Sequence, residues 1–268
     1  MPPESAEEKL QSLREILQAH APLAIAYSGG VDSAFLLAVA AETLGAGCLG
    51  VIADSPSLPR QALQDALQVA REIKARIEVV QTREMEDANY ASNPPNRCYF
   101  CKAELFATLD RLTRARGFRA IAYGENADDA HQVRPGRQAA SEFHVFAPLK
   151  EAGLTKSEIR QFSRVMQLAT ADAPAQPCLS SRIPHGTPVT VAALNMIERA
   201  EAVVRGFGFR IFRVRHHLRE NRPSARLEVS PEEMPRLETI ADPLCSALRD
   251  VGYSNVSIAP EGYRSPLT

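Results

Sequence analysis

The stretch that decides the fold is Leu23-Ala24-Ile25-Ala26-Tyr27-Ser28-Gly29-Gly30-Val31-Asp32-Ser33. Its first five residues form a continuous apolar run, which is typical of a strand buried on both faces of a parallel sheet. A glycine-rich turn follows, and residues 34–44 have the composition of a helix that Gly45 can end. A buried strand, a glycine-rich turn and a helix in this order predict the beginning of a parallel α/β sheet.

The same alternation continues through the first two thirds of the chain. Further strands are predicted at 48–53, 77–80 and 120–123, and further helices at 5–20, 61–74 and 104–116. Thr155-Lys156-Ser157-Glu158 has the pattern of a capping box that opens another helix. Strands that alternate with helices of this length predict an α/β fold with a doubly wound parallel sheet.

The pattern changes after Pro174-Ala175-Gln176-Pro177. The later elements are predicted as helix 191–205, strands 210–215, 226–229 and 255–259, and a helix opened by a capping box at Ser230-Pro231-Glu232-Glu233. They form a smaller C-terminal α+β domain. We place the boundary at residue 184, so that residues 1–184 are the nucleotide-binding domain and residues 185–268 serve substrate binding or oligomerisation.

Composition and charge narrow the class of partner. The formal net charge of −1 gives the surface no strong field for nucleic acid or a membrane. No apolar stretch reaches the length of a membrane helix, and the acidic segment Met1–Glu8 lacks the order of a signal peptide. We therefore expect a cytoplasmic protein whose five cysteines form no disulfide framework. We also expect it to form a homo-oligomer.

The glycine-rich turn has the chemistry of an anion site. Gly29 and Gly30 allow the backbone to approach phosphate oxygens, and the N–H groups of the following helix start add positive potential. Ser28 and Ser33 can donate hydroxyl hydrogen bonds, and Asp32 can hold Mg²⁺. A Gly-Gly turn with a Ser or Asp cap is the structural alternative. A Walker loop is excluded because the turn has no lysine.

Residues 28–33 resemble the PP-loop of the ATP pyrophosphatases, proteins of the adenine nucleotide α-hydrolase-like fold that cleave ATP to AMP and pyrophosphate. The resemblance implies that the whole loop, Val31 included, binds the pyrophosphate of ATP, and that Asp32 and Ser33 are catalytic. It also implies that the end of the second strand, with Asp54, borders the adenine. A turn residue is the alternative role for Asp54.

Three of the five cysteines are candidate ligands for a metal ion or an iron–sulfur cluster. Cys98-Tyr99-Phe100-Cys101 lies at the start of a predicted helix, and two thiols at this spacing can ligate one metal or cluster. A redox disulfide and a zinc half-site remain alternatives. Cys178 follows Pro177 at the end of the predicted sheet domain. Cys48 and Cys245 lie on apolar faces, which predicts core packing for them.

Several separate segments resemble the LarE sulfur transferases, PP-loop enzymes that help to make the nickel-pincer cofactor of lactate racemase. The resemblance runs over nearly the whole chain. Its segments are 28–33, Asn96–Lys102, Asn126–Asp129 with Arg134-Pro135-Gly136, Pro148–Lys156, Pro177–Arg182 with Pro184–Thr187, and Arg213–His216.

This resemblance implies an enzyme that uses ATP to adenylylate a carboxylate of a pyridinium dicarboxylate mononucleotide and then replaces oxygen by sulfur. Two sulfur sources are known in the family. In one group the cysteine matching Cys178 gives up its own sulfur and becomes dehydroalanine. In the other, a [4Fe–4S] cluster on cysteines matching Cys98, Cys101 and Cys178 carries sulfide from a sulfide donor. All three positions are cysteine here, which favours the cluster form.

The anionic substrate implied by the resemblance needs cationic side chains. Arg213 and Arg215 share one face of a predicted strand, and the resemblance assigns them to phosphate binding. Arg182 and Arg264 are further candidates. Arginines that alternate along a strand can also form a solvated face.

Acidic and amide side chains follow the strand that ends at Tyr123-Gly124. Asp128 and its neighbours Glu125, Asn126 and Asp129 can orient the substrate or bind Mg²⁺ there, whereas capping of a helix is the alternative role for Asn126. The chain departs from the family at Gln132-Val133, where an acid and an aromatic residue are common, and at His185, where tyrosine is common. These changes bear on the identity of the substrate.

Three other functions fit parts of the pattern. An amide-forming PP-loop ligase would need an ammonia-supplying domain, and none is recognisable. A tRNA thiolase would need a basic groove, which the near-zero charge disfavours. A non-catalytic nucleotide sensor would not need Ser28, Asp32 and Ser33 together.

Overall fold

The computed structural model of the chain describes residues 5–131, 135–174 and 176–263. The chain divides into two units, Met1–Glu84 with Asn96–Gln176 and Met85–Pro95 with Pro177–Thr268. The second unit includes residues 85–95, which precede the Cys-x-x-Cys segment, and it begins again at Pro177. The domain boundary at residue 184 stays a prediction.

A parallel sheet with the strand order β3-β2-β1-β4 lies at the centre of the first unit. Its strands are β1 (Leu23–Ala26), β2 (Cys48–Asp54), β3 (Ile77–Gln81) and β4 (Ala120–Tyr123). The chain moves from β1 outward to β2 and β3 and then crosses back to place β4 on the other side of β1. The direction of winding therefore changes between β1 and β4, which is where open α/β sheets bind ligands.

Helices cover both faces of this sheet, so the predicted doubly wound α/β fold is confirmed. One face packs on an apolar cluster with Ile25 and Phe35, and the other on a cluster with Ala24 and Phe106. The helices of the first unit, within the described residues, are α1 (Ala6–His20), α2 (Val31–Leu44), α3 (Arg60–Glu72), α5 (Arg97–Arg116), α6 (Pro135–Glu142), α7 (Pro148–Glu151) and α8 (Lys156–Val165). The label α4 belongs to Ala88–Ala91 of the second unit.

Two helices begin earlier than the sequence predicts. Gly30 is the N-cap of α2, so Val31, Asp32 and Ser33 form the first turn of the helix rather than its approach. Helix α5 begins at Arg97, because no helix-breaking residue separates Pro95 from the predicted start at residue 104. Both differences move residues of the predicted site into first helical turns.

The second unit contains its own sheet and core. The sheet has the order β5-β6-β7, and its members are β5 (Phe212–Arg219), β6 (Arg222–Val229) and β7 (Asn255–Ile258). Strand β5 is antiparallel to β6, and β7 is parallel to β6. Helices α9 (Val191–Gly206) and α10 (Met234–Val251) pack on an apolar cluster that includes Val204, Leu227 and Leu248.

One predicted capping box is present and one is wrong. The Thr155 hydroxyl accepts from the backbone N–H of Glu158, and the Glu158 carboxylate accepts from the N–H of Thr155. The box predicted at Ser230 does not form, because the Glu233 carboxylate accepts instead from the N–H groups of Arg210 and Ile211. The N–H of Ser230 donates to the carbonyl of Ile211, so tertiary contacts replace the local cap.

None of the described helices combines the length and the apolar character that crossing a membrane requires.

Candidate functional site

The loop after β1 is organised around the hydroxyl of Ser33. This oxygen accepts from the backbone N–H of Ser28 at 3.2 Å, shares a hydrogen bond with the Ser28 hydroxyl at 3.0 Å, and donates to the carbonyl of Gly30 at 3.1 Å. The first intrahelical bond of α2 runs from the N–H of Ala34 to that same carbonyl. The N–H groups of the preceding turn cannot be satisfied within the helix, and they make this end attractive to an anion.

Two glycines let three backbone segments meet at this loop. Gly29 has φ +75°, a conformation that disfavours L side chains, and a Cβ there would lie 2.6 Å from the Cβ of Ala66 in α3. A Cβ on Gly124, just after β4, would lie 2.9 Å from the backbone nitrogen of Ser33. The loop is therefore packed between the middle of α3 and the end of β4, and neither Gly29 nor Gly124 can be replaced by a larger residue without a shift of the neighbouring atoms.

Two cavities flank the loop within the first unit. A cleft of about 180 Å³ is lined by predicted pyrophosphate residues together with side chains from α5 and the end of β4: Ser28, Gly30, Asp32, Ser33, Lys102 and Tyr123 among them. A second cavity, of about 110 Å³, is apolar, and its walls include Ile52, Ala53 and Leu58. The hydroxyl, carboxylate and ammonium groups in the wall of the first cleft suit the phosphates of a nucleotide, and the apolar cavity beside it suits the base.

One carboxylate oxygen of Asp32 forms an ion pair, and the other makes no hydrogen bond to any described residue. Its Oδ2 lies 2.7 Å from Nζ of Lys156, the first residue of α8. Its Oδ1 is buried and has no hydrogen-bond partner among the described residues. A buried carboxylate oxygen without a partner is costly unless it receives a ligand, and a hard cation such as Mg²⁺ is one that fits it.

Asp54 lies at the end of β2, but its carboxylate is engaged by neighbouring side chains. Arg60 Nη1 lies 2.5 Å from its Oδ1, and Gln81 Nε2 lies 2.8 Å from its Oδ2. It is Ala53, the preceding residue, that lines the apolar cavity. A role for Asp54 in binding ATP stays a prediction.

A buried carboxylate network follows β4. Glu125 accepts hydrogen bonds from the Tyr123 hydroxyl and from Lys150 Nζ (3.0 Å), and it lies 3.0 Å from Arg137 Nε. Burial raises the pKa of Glu125, but these hydrogen bonds and the two positive charges outweigh burial, so the pKa lies below its ordinary value. Burial and the bond to Glu125 raise the pKa of Tyr123. Glu125 is therefore an anion at neutral pH.

The neighbouring residues Asn126 and Asp128 have local backbone partners. The Asn126 side-chain oxygen accepts from the N–H groups of Asp128 (2.9 Å) and Asp129 (3.3 Å), which is the capping alternative for Asn126. The Asp128 carboxylate accepts from the N–H of Lys156 at 2.8 Å. Asp128 thus fixes the start of α8, the helix whose first residue pairs with Asp32, and a direct contact of Asp128 with substrate stays a prediction.

The cysteines separate into two groups. Cys98 lies in the first turn of α5 and is exposed, and Cys101 lies at the start of the second turn and is half-buried. Cys178 is half-buried and belongs to the second unit. Cys48 is buried in the core of the first unit, as predicted, whereas Cys245 is half-buried and packs against the core of the second unit. Burial raises the pKa of the Cys48 thiol to about 12 and also raises the pKa of the Cys245 thiol. The three remaining cysteines are the ones the sequence singles out.

Neither unit by itself brings together three or more His, Cys, Asp or Glu side chains, among its described residues, in a group that could hold a metal ion. Cys98 and Cys101 belong to the first unit and Cys178 belongs to the second, so the cluster predicted on these three cysteines stays a prediction.

The second unit fixes the backbone of Cys178 through Arg182. Nη1 of Arg182 donates to the carbonyl oxygens of Pro177 (2.6 Å) and Cys178 (3.1 Å). Its Nε and Nη2 donate to the two oxygens of Glu201, at 2.8 and 3.0 Å. The side chains of Arg182 and Glu201 are 4% and 8% exposed. The structure therefore places Arg182 as a buried brace of the Cys178 loop.

Arg213 and Arg215 lie on the same face of β5, as predicted from their spacing. Arg215 donates to Glu228 (2.9 Å) and to the carbonyl of Ser181 (3.0 Å). The Arg213 guanidinium lies 4.8 Å from the ring centre of Tyr263. Burial, followed by the charge of Arg182, lowers the pKa of Arg213, and Arg215 adds to this effect. The second unit thus gathers three predicted arginines beside the Cys178 loop, while Arg264 lies outside the described residues.

Sequence reasoning missed the lysines around the loop. Lys102 lines the cleft with its Nζ 4.8 Å from the ring centre of Tyr123, Lys156 pairs with Asp32, and Lys150 pairs with Glu125. The chain has only five lysines, and these three fall inside the segments that carry the family resemblance. Because lysine is scarce in this chain, the position of three of the five lysines in those segments could have marked them as candidate site residues.

The parallel sheet, the change of winding at β1 and the glycine-rich loop define the class of protein, an α/β domain of the PP-loop ATP pyrophosphatase type. No protein-family model matches the chain. An uncharacterized protein of Synechocystis is 41% identical over 261 residues, which cover 97% of this chain and 96% of the relative.

Two more distant relatives also span most of the chain. The pyridinium-3,5-bisthiocarboxylic acid mononucleotide synthase of Lactiplantibacillus plantarum is 27% identical over 90% of this chain and 86% of its own length. An uncharacterized protein of Methanocaldococcus jannaschii is 25% identical over 90% of each chain. This chain belongs to the LarE family.

Proposed function

We propose that this chain is an ATP-dependent sulfur transferase. It adenylylates a carboxylate of a pyridinium dicarboxylate mononucleotide, a small anionic substrate, and replaces the activated oxygen by sulfur. The observation that carries the proposal is the presence in one chain of two neighbouring cavities around residues 28–33 and a Cys178 loop beside three arginines. The name of the Lactiplantibacillus relative, a synthase of a pyridinium bisthiocarboxylic acid mononucleotide, supports the same chemistry.

In the first step a substrate carboxylate oxygen attacks the α-phosphorus of ATP, and the bond to pyrophosphate breaks. The first-turn N–H groups of α2 and the hydroxyls of Ser28 and Ser33 bind the departing pyrophosphate. Lys102, on the wall of the cleft, adds positive charge. Asp32, whose Oδ1 lacks a partner among the described residues, would hold Mg²⁺, which neutralises phosphate charge when bound.

In the second step a sulfur nucleophile attacks the carbonyl carbon of the acyl-adenylate, and the bond between that carbon and the AMP oxygen breaks. The products are a thiocarboxylate and AMP. Arg213 and Arg215, with Arg264 as a further candidate, would bind the phosphate of the mononucleotide, and Arg182 keeps the Cys178 loop in place. Asp128 orients the substrate side of the site through the start of α8.

The sulfur source we favour is sulfide from a donor, carried on a [4Fe–4S] cluster held by Cys98, Cys101 and Cys178. The donor set fits, because three thiolates leave one iron without a protein ligand, and such an iron can carry sulfide when the cluster is bound. None of the three thiols, all of which lie within the described residues, is in a disulfide. Cys98 also follows, by three positions in the sequence, the 85–95 segment that belongs to the unit of Cys178.

The second candidate is sacrificial transfer of the sulfur of Cys178. It is favoured by the hydrogen bond from Arg182 to the Cys178 carbonyl, which fixes the backbone at this residue. In this reaction the Cys178 thiolate attacks the acyl carbon and AMP leaves. Loss of the Cys178 α-proton then breaks its Cβ–S bond, so the substrate keeps the sulfur and the protein keeps a dehydroalanine. Each chain would act once.

Two measurements test the proposal. Pyrophosphate should be released from ATP only when the pyridinium dicarboxylate mononucleotide is present; release with equal rate in its absence contradicts substrate adenylylation. Protein reconstituted anaerobically with iron and sulfide should be brown. Cys98→Ala should abolish the colour, while Cys245→Ala, at a half-buried cysteine outside the proposed cluster, should keep it. Wild-type protein that stays colourless leaves the Cys178 route as the sulfur source.

A further inference from the structure

The segment 85–95 is bonded to the loop that carries Cys178, within the second unit. The hydroxyl of Tyr90 lies 2.7 Å from that of Ser180, two residues after Cys178, and both side chains are almost completely buried. The bond therefore joins two groups that have little access to water, where a lost partner is costly.

Asn93 holds the far end of the same loop. Its side-chain nitrogen donates to the carbonyl oxygens of Pro184 and Thr187, each at 2.8 Å, and its own carbonyl accepts from the N–H of Gly186 at 2.9 Å. Asn93 is 0% exposed and has φ +58°, in the left-handed region that asparagine tolerates better than most residues. A buried polar residue in an uncommon backbone conformation persists only where its surroundings require it.

Arg182 braces the loop from the opposite side. It binds the carbonyls of Pro177 and Cys178 and is itself held by Glu201, which also accepts from the N–H of Val214 in β5. The loop is thus tied on both sides of Cys178. Arg182 binds the carbonyls of residues 177 and 178, Tyr90 binds the side chain of Ser180, and Asn93 binds the backbone at residues 184–187.

We propose that segment 85–95 is a clamp that sets the position of the Cys178 thiol, with Tyr90 and Asn93 as positioning residues for sulfur transfer. This inference rests on the proposed function, because it assigns the clamp a role only if Cys178 handles sulfur. The clamp also explains why residues 85–95, which interrupt the first unit in sequence, belong to the second.

The test measures the thiol directly. Full-length protein, freed of iron with a chelator and kept reduced, is reacted with iodoacetamide, and alkylation of each cysteine is followed by peptide mass spectrometry. Tyr90→Phe keeps the ring and removes the hydroxyl, and we expect Cys178 to react about fivefold faster, the effect of losing one typical hydrogen bond. Cys245 in the same unit should react at an unchanged rate.

Two further variants keep the test decisive. Ser180→Ala removes the other end of the bond, and the double variant should show the same fivefold change as either single variant rather than their product. Tyr253→Phe is the matched control, a buried tyrosine of the same unit whose hydroxyl faces His216. An unchanged Cys178 alkylation rate in Tyr90→Phe and Ser180→Ala, with a lowered melting temperature, would overturn the clamp and leave a structural contact.

Turnover gives an independent readout. Tyr90→Phe should lower kcat for sulfur incorporation while the KM for ATP, which binds in the first unit, stays the same. A raised KM for ATP with unchanged kcat would contradict a positioning role at Cys178. If wild-type protein transfers no sulfur, the proposed function fails, but the alkylation rates still decide whether the clamp exists.

Discussion

The Gly29→Ala substitution puts a methyl group where the structure leaves no room for one. The φ of +75° costs an alanine about 1–2 kcal/mol. The new Cβ would also lie 2.6 Å from the Cβ of Ala66, an overlap that must be relieved by movement of α3, and such overpacking costs about 1–3 kcal/mol. The free energy of unfolding should therefore fall by about 2–5 kcal/mol in total.

Two other glycines separate these terms. Gly117 has φ +74°, but no heavy atom of another described residue is near its Cβ position, so Gly117→Ala should cost only the backbone term, about 1–2 kcal/mol. Gly30 has φ −76°, and the nearest atom to its Cβ position among the described residues is 3.6 Å away. Gly30→Ala should therefore leave the free energy of unfolding nearly unchanged, while its methyl group obstructs the proposed pyrophosphate site. The difference in free energy of unfolding between Gly29→Ala and Gly117→Ala therefore measures the cost of the overlap with Ala66.

The assay is urea unfolding of the full chain followed by circular dichroism, with ATP binding measured in parallel. The double variant Gly29→Ala with Ala66→Gly removes the overlap and should be more stable than Gly29→Ala alone, although glycine in helix α3 itself costs up to about 1 kcal/mol. If Gly29→Ala destabilises no more than Gly117→Ala, the close approach of the loop to α3 is refuted.

Three further predictions concern charged groups. Asp32→Asn should block AMP formation, since the amide cannot replace a charged metal ligand, and should change the melting temperature little. Normal turnover of this variant would contradict a role of Asp32 in holding Mg²⁺. Arg215→Ala should weaken binding of the mononucleotide by about 1.5–3 kcal/mol, measured by calorimetry, whereas Arg219→Ala at the exposed end of the same strand should not. Because the pKa of Glu125 lies below its ordinary value of 4.5, its ionised form stabilises the fold at pH above that value, and this stabilisation is lost as the pH falls through the lowered pKa. Glu125→Gln should therefore reduce stability at neutral pH, and its difference from wild type should shrink on acidification; a difference independent of pH would contradict the network.

Local sequence patterns were sufficient for the parallel sheet domain. Strand β4 was predicted to the residue, because its apolar run is bounded by clear turn residues, and the Thr155 capping box has strong local chemistry. The Ser230 box failed for the opposite reason: the carboxylate of Glu233 found backbone N–H groups at Arg210 and Ile211, more than twenty residues away in sequence. A capping pattern covers only four consecutive residues, so it cannot show that a carboxylate will accept hydrogen bonds from N–H groups far away in sequence.

For the candidate site, the sequence predicts local geometry but not the contacts between side chains that are distant in sequence. The sequence indicated the loop and the alternating arginines, since glycine conformation and strand periodicity are local properties. It did not indicate that Lys156 pairs with Asp32, or that Glu125 is held between Lys150 and Arg137, because these pairs depend on the order of strands in the sheet. The assignment of residues 85–95 to the second unit likewise depends on tertiary hydrogen bonds rather than on any local pattern.

The proposed reaction of this protein is the replacement of a substrate oxygen by sulfur. The direct measurement is anaerobic turnover of reconstituted protein with ATP, Mg²⁺, sulfide and the pyridinium dicarboxylate mononucleotide, with masses of the product and of the intact protein. We predict several sulfur-containing products per chain, one AMP for each sulfur, and an unchanged protein mass. Pyrophosphate release without sulfur in any product would contradict the account.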